Sequence, residues 1–206
     1  MPRIRVLIAL TAVAALALPS VAAAAVSKVT GGTTQVTVSS TVASALTANH
    51  ITVTPLAPAT SSGSTYTFPV TGGHLNKKLH GDIRQGGGLA ISNGTRTVRL
   101  RRLTIVSDGH GVWLRSLVAG PSKRFCRFVG RHHRRARCVR ITRYSSRRVA
   151  ALTNVKVSGD SATGDVALTA YAAKAIDALA GKPLASAGTV LGTATHRTVA
   201  TNPPAS

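Results

Sequence analysis

The chain has no glutamate, one methionine (Met1), one tryptophan, three tyrosines, three phenylalanines and two cysteines in 206 residues. Each shortage excludes something. Five scattered aspartates are the only acids, so the paired carboxylates of general acid–base catalysis are hard to assemble. Ser107-Asp108-Gly109-His110 holds the letters of a catalytic triad, but neighbours in a turn point apart, and an ordinary hairpin loop accounts for them. No catalytic residue is expected, and no enzyme. The cysteines, Cys126 and Cys138, lack paired C-x-x-C spacing. The arginines around His132 and His133 repel a cation, so no metal is expected either. With so few aromatics, any core must be built from small aliphatics.

What is present begins with a targeting segment. Arg3 and Arg5 give a positive start, Val6 to Leu18 is apolar, Pro19 breaks the run, and Ala22–Ala25 offers an A-x-A cleavage site. Residues 1–25 therefore read as a secretory signal peptide, with an apolar run too short to span a bilayer. The expectation is a secreted or cell-envelope-associated protein with no membrane span after signal cleavage. Without Arg3 and Arg5 the chain carries 24 Lys and Arg against five Asp. Residues 26–198 suit one domain with a real core, and 199–206 read as a disordered tail.

The fold class follows from Val, Thr, Ala, Gly and Ser in alternation. It is mostly β, an antiparallel β-sandwich with two short helices. Gln35–Val38, Ile51–Pro55 and Thr65–Val70 read as strands, with Pro69 arguing for an edge position in the third. Asn93-Gly94 between Leu89–Ser92 and Thr95–Leu100 signals a hairpin with a two-residue type I′ turn. Val98 and Leu100 share a face, as do Leu103 and Ile105; the odd spacing between the pairs predicts a β-bulge at Arg101-Arg102. Gly86-Gly87-Gly88 marks a tight bend. Val36–Leu46 and Val166–Ile176 match position by position as a strand, a Ser or Thr cap and a small-residue helix. The helices are predicted near Val42–Ala48 and Ala170–Leu179, with the two units at opposite ends of the sandwich.

The stretch GDIRQGGGLAISNGTRTVRLRRLTIV (Gly81–Val106), with FPVTGGHLN upstream (Phe68–Asn76), resembles the core of the HtaA domain family. Leu168–Ile176 and Leu191–Thr195 are similar to that family's "LT-x-x-A-x-A-L…LGTATV" ending. The family belongs to actinobacterial envelope proteins associated with haem transport, so the resemblance implies a ligand-binding envelope module and haem as its cofactor. Haem-binding members are thought to use a Tyr ligand, in an aromatic segment before the first strand, supported by a His. Here Val26–Gly32 (VSKVTGG) contains no Tyr, and Gln85 stands where the family has its His before the Gly-Gly bend. With the cysteines expected to pair, His and Tyr are the remaining axial-ligand types. His74 and His80, flanking the bend, are the candidates.

Residues 119–150 break the pattern as a basic insertion. Eleven of the chain's bases lie there with no acid. Export favours a disulfide between Cys126 and Cys138, closing a ring that holds Arg127, Arg131, Arg134, Arg135 and Arg137. Such a concentration predicts an anionic partner through counterion release. An exported chain is expected to meet an anionic cell-envelope component, such as a wall polymer or lipid headgroup, rather than nucleic acid. A polyanion-binding module without haem is thus the alternative to the haem reading, and the sequence leaves the oligomeric state open.

Overall fold

The structure is a computed structural model describing residues 27–76, 78–129 and 135–201. Its elements run β1 (Ser27–Val38), α1 (Ser40–Ala48), β2 (Thr52–Leu56), β3 (Thr60–Ser62), β4 (Thr65–Leu75), β5 (Gly81–Gln85), β6 (Gly88–Ser92) and β7 (Thr97–Ser107). There follow β8 (Val112–Val129), β9 (Arg135–Ser158), β10 (Ser161–Leu168), α2 (Ala170–Ala180) and β11 (Val190–Thr201). The proposed signal peptide and residues 202–206 lie outside the described residues; 199–201 belong to β11, paired as far as Lys28↔Thr201.

The strands form one antiparallel sheet that closes on itself, not a two-sheet sandwich. Around the ring the order is β7-β5-β4-β1-β11-β10-β9-β8, and β8 pairs with β7. Strands β6 and β2 extend the sheet from β7, and β3 pairs with β4. Period-two alternation cannot tell the two architectures apart, since both put every second side chain inward. Closure does more than a sandwich: it leaves the ring without edges.

Three local expectations change for visible reasons. Strand β4 is interior: Thr65–Thr67 pairs with β3 and Val70–Leu75 with β5, leaving Pro69 in the gap between them. A missing N–H there costs no ladder bond, so Pro69 needs no edge. The β6–β7 hairpin exists, but Ser92 pairs with Thr97, giving a four-residue connection instead of two. The Asn93 side chain decides this, because its Oδ1 accepts from the N–H groups of Thr95 and Arg96 and mimics a backbone turn. The two helices, at the predicted places, stand at the same end of the barrel. Strands β1 and β10 both pair antiparallel with β11, so they run the same way and deliver their helices together.

The bulge is present. The β7–β8 register shifts between Arg101 and Thr104, and Arg102 has φ 49°. It divides β7, whose first half pairs with β6 and whose second half pairs with β5. The core is aliphatic, as the composition requires. Val29, Val70, Ile83 and Ile105 pack toward one end; Phe68, Leu103 and Ala59 pack nearer the helices. Ala150, Val166 and Ala194 fill the wall beneath α2.

Candidate functional site

The helix-capped end of the barrel is hollow. A chamber of about 200 Å³ lies between the strands and the helices. Val42, Ala45 and Leu46 of α1 and Ala172, Ala175 and Ile176 of α2 form its roof. Ser39 and Thr169 cap these helices through Val42 N and Ala172 N, which sets where each roof begins. Leu184 and Ala185 complete the wall. Asp177 holds that segment, its Oδ1 accepting from both their N–H groups at 2.8 and 3.0 Å; these bonds keep its carboxyl below the usual carboxylate range.

Two tyrosines face the chamber in different states. The Tyr66 hydroxyl donates to the Val53 carbonyl at 3.3 Å, and burial raises its pKa, so it is held as a neutral phenol. Tyr171, in the first turn of α2, lines the chamber and remains 39% exposed. The Arg147 guanidinium lies 5.4 Å from its ring centroid, a cation–π contact at the rim. Arg148 instead stacks on Trp113 at 4.6 Å and pairs with Asp108 at 3.3 Å.

His74 and His80 sit elsewhere. His74 is exposed near the end of β4, in register with Lys28 and Asp82, and His80 packs against Gly109 in the β7–β8 turn. Both lie at the barrel end away from the helices, and neither lines the chamber. Gln85 is buried, and neither atom of its amide has a hydrogen-bond partner among the described residues. No group of three or more His, Cys or Asp side chains among those residues could hold a metal ion.

Haem does not fit inside the chamber. Among the described residues no histidine lines it, and a space of about 200 Å³ is smaller than the haem macrocycle itself. Of the two lining tyrosines, Tyr66 is half-buried with its hydroxyl bonded to the Val53 carbonyl, and Tyr171 is exposed. Its pairing with Arg147 was not legible, because nothing in a linear pattern says that β9 passes beside the start of α2.

One histidine is internal. His196 on β11 is buried, and its Nδ1 lies 2.7 Å from the Thr34 hydroxyl. Burial lowers its pKa. The unfolded chain therefore binds a proton more readily than the folded one below pH ~6.5. Stability is expected to fall as pH drops from there toward the lower folded value. His196→Gln should flatten that slope in thermal melts at pH 5 to 7; an unchanged slope would assign the loss to other groups.

The basic insertion is a ribbon, not a loop. Beyond Val118 and Ala150, β8 and β9 pair, among the described residues, with each other alone. They project from the barrel at the helix end. Cys126 and Cys138 oppose each other in register and form the expected disulfide, Cα atoms 4.0 Å apart. Arg124 pairs in register with Arg140, Arg127 with Arg137, and Arg135 with Val129. Arg131 and Arg134 lie outside the described residues.

Neither family models nor curated protein sequences give a match to the chain. Solved structures do. The C-terminal domain of HtaA from Corynebacterium glutamicum superposes with a TM-score of 0.58 at 15% identity, covering 85% of this chain and 99% of that one. The N-terminal domain of the same protein gives 0.55 at 15% identity, covering 82% and 98%. At that identity the likeness is one of fold: the architecture of this chain is similar to that of both HtaA domains.

Proposed function

We propose that this chain is a non-enzymatic ligand-binding module of the cell envelope, taking its ligand at the helix-capped end of the barrel. The observation that carries this reading is the apolar chamber there, with Tyr171 and Arg147 on its rim. Concave apolar sites with few polar groups at their mouths are where small ligands bind. Export and envelope association rest on the signal-like residues 1–25 and on the resemblance.

The resemblance nominates haem, and Tyr171 is its best-placed ligand here. A haem held at the rim rather than enclosed gains little burial. Titration of the mature protein with haemin is expected to saturate only above ~10 µM, with Tyr171→Phe weakening it further and His74→Ala or His80→Ala leaving it unchanged. Tight binding that survives Tyr171→Phe, or depends on either histidine, would move the site to the other end. The cross-strand arginine pairs of the ribbon favour a second reading, in which an anionic envelope polymer or headgroup is the partner.

A further inference from the structure

We infer that the chamber receives the alkyl chain of a single-chain anionic amphiphile, its carboxylate or phosphate resting beside Arg147. This deepens the proposed function and rests on its placement of the site at the helix-capped end.

The wall is apolar. Its polar groups are engaged with protein partners: Thr34 with His196, Tyr66 with the Val53 carbonyl, and Thr189 with Ser186. Tyr171 faces the rim. An apolar cavity with no free polar group stays dry and accepts apolar guests. The roof is under-packed as well. Val42, Ala45 and Leu46 of α1 face the chamber, yet none of the nine residues of α1 is buried. Apolar side chains that face inward without being buried are short of neighbours, and a guest would supply them.

Size favours a chain over a ring system. The lining runs from Ile105 and Leu114 among the strands to Leu46 and Ile176 on the helices, around a space of about 200 Å³. Charge selects the head. Arg147 sits on the rim beside Tyr171, and the basic ribbon leaves the barrel at this end. Among the described residues no acid lines the chamber. An alcohol or amine head would gain nothing from that surround; a carboxylate or phosphate would.

Calorimetric titration of the delipidated mature protein with octanoate, decanoate and dodecanoate, below their micellar concentrations, tests this. Affinity is expected to rise about fourfold per added methylene until the chamber fills. Dodecanol should bind about tenfold more weakly than dodecanoate, and Arg147→Gln should remove that difference. A lysophosphatidylglycerol of equal chain length, titrated in parallel, distinguishes a phospholipid source from a free fatty acid by which binds tighter. Ala45→Leu with Ala175→Leu fills the roof with good helix formers; it should keep or raise the melting temperature and cut dodecanoate affinity at least tenfold. Affinity independent of chain length, or a folded double variant binding as the wild type does, would overturn the inference. Haemin titration separates the two levels. If dodecanoate fails while haemin still depends on Tyr171, the site stands and the alkyl chain falls; if both fail, the helix-capped end is not the site.

Discussion

Exchanging Arg124, Arg127, Arg137 and Arg140 for Gln is expected to abolish most of the salt-sensitive affinity of this protein for polyphosphate. In register these residues form two directly opposed pairs, one on each side of the Cys126–Cys138 bridge. Like charges at directly opposed register positions are destabilising, and residues 119–150 contain no acid to relieve them. A multivalent anion does relieve them, releasing its own counterions as it binds. With about six phosphate contacts the wild type should lose ~10³-fold in affinity between 50 and 200 mM salt, and removing four contacts should flatten that dependence to less than half its slope. The disulfide lowers the ordering cost of the ribbon, so reduction should weaken binding less than the substitutions do. Because the exchange removes repulsion, the variant should melt no lower than wild type, which separates lost binding from lost folding. Equal binding by both proteins at low salt would make the ribbon a solvated surface.

Much of the fold was legible because it is written in local rules. Odd spacing between Val98-Leu100 and Leu103-Ile105 demanded an extra residue, and Arg102 supplies it with a left-handed backbone. Ser39 and Thr169 marked where helices begin, since their oxygens satisfy free N–H groups that only a helix start presents. Global closure was not legible. Sandwich and barrel differ in whether β7 finds β8, and neither sequence carries a residue that says so. The placement of both helices at one end follows from strand direction around the ring, which again is a property of the whole sheet. The β6–β7 turn was misread in detail because Asn-Gly has two uses. Its backbone suits a tight turn, but the Asn93 side chain also accepts two N–H groups and donates Nδ2–H to the Leu179 carbonyl at 2.7 Å, docking the hairpin on α2.

The site was less legible than the fold. His74 and His80 drew attention by lying near a family-like motif, yet they occupy the barrel end away from the chamber. Sequence proximity to Gly86–Gly88 is not spatial proximity to an apolar wall. Tyr171 and Arg147 are 24 positions apart in a chain whose other arginines crowd the same segment, so no spacing singled them out. The chamber is an under-filled volume, and alternation of apolar residues reads the same whether or not the side chains meet. Composition carries a related signal: the buried core is Val, Ala, Ile and Leu, with Phe68 its one buried aromatic among the described residues, so few large side chains are present to fill space.

Gly192→Ala is expected to cost at least about 3 kcal/mol of stability, and Gly94→Ala only about 1 kcal/mol. Both glycines have positive φ, 156° and 85°, so the backbone penalty alone would make them comparable. Their surroundings differ. Around Gly94, at the hairpin tip, nothing stands within 4 Å of an added Cβ. Gly192 pairs with Val38 on one side and Val166 on the other, and a Cβ there would collide with the Thr37 carbonyl oxygen and crowd the Val38 Cα. Backbone held in two ladders cannot move aside cheaply. In a domain of this size the difference should read as a melting temperature lower by about 6–12 °C for Gly192→Ala against about 2–4 °C for Gly94→Ala. The consequence reaches the ligand. Leu191 lines the chamber, and its carbonyl accepts the Ser39 N–H at 2.8 Å just where α1 begins. A shift of β11 at Gly192 therefore displaces wall and roof together, and the surviving folded fraction should bind dodecanoate more weakly than Gly94→Ala does. Equal melting temperatures for the two variants would show that β11 yields at this point, and that the chamber wall is not fixed by it.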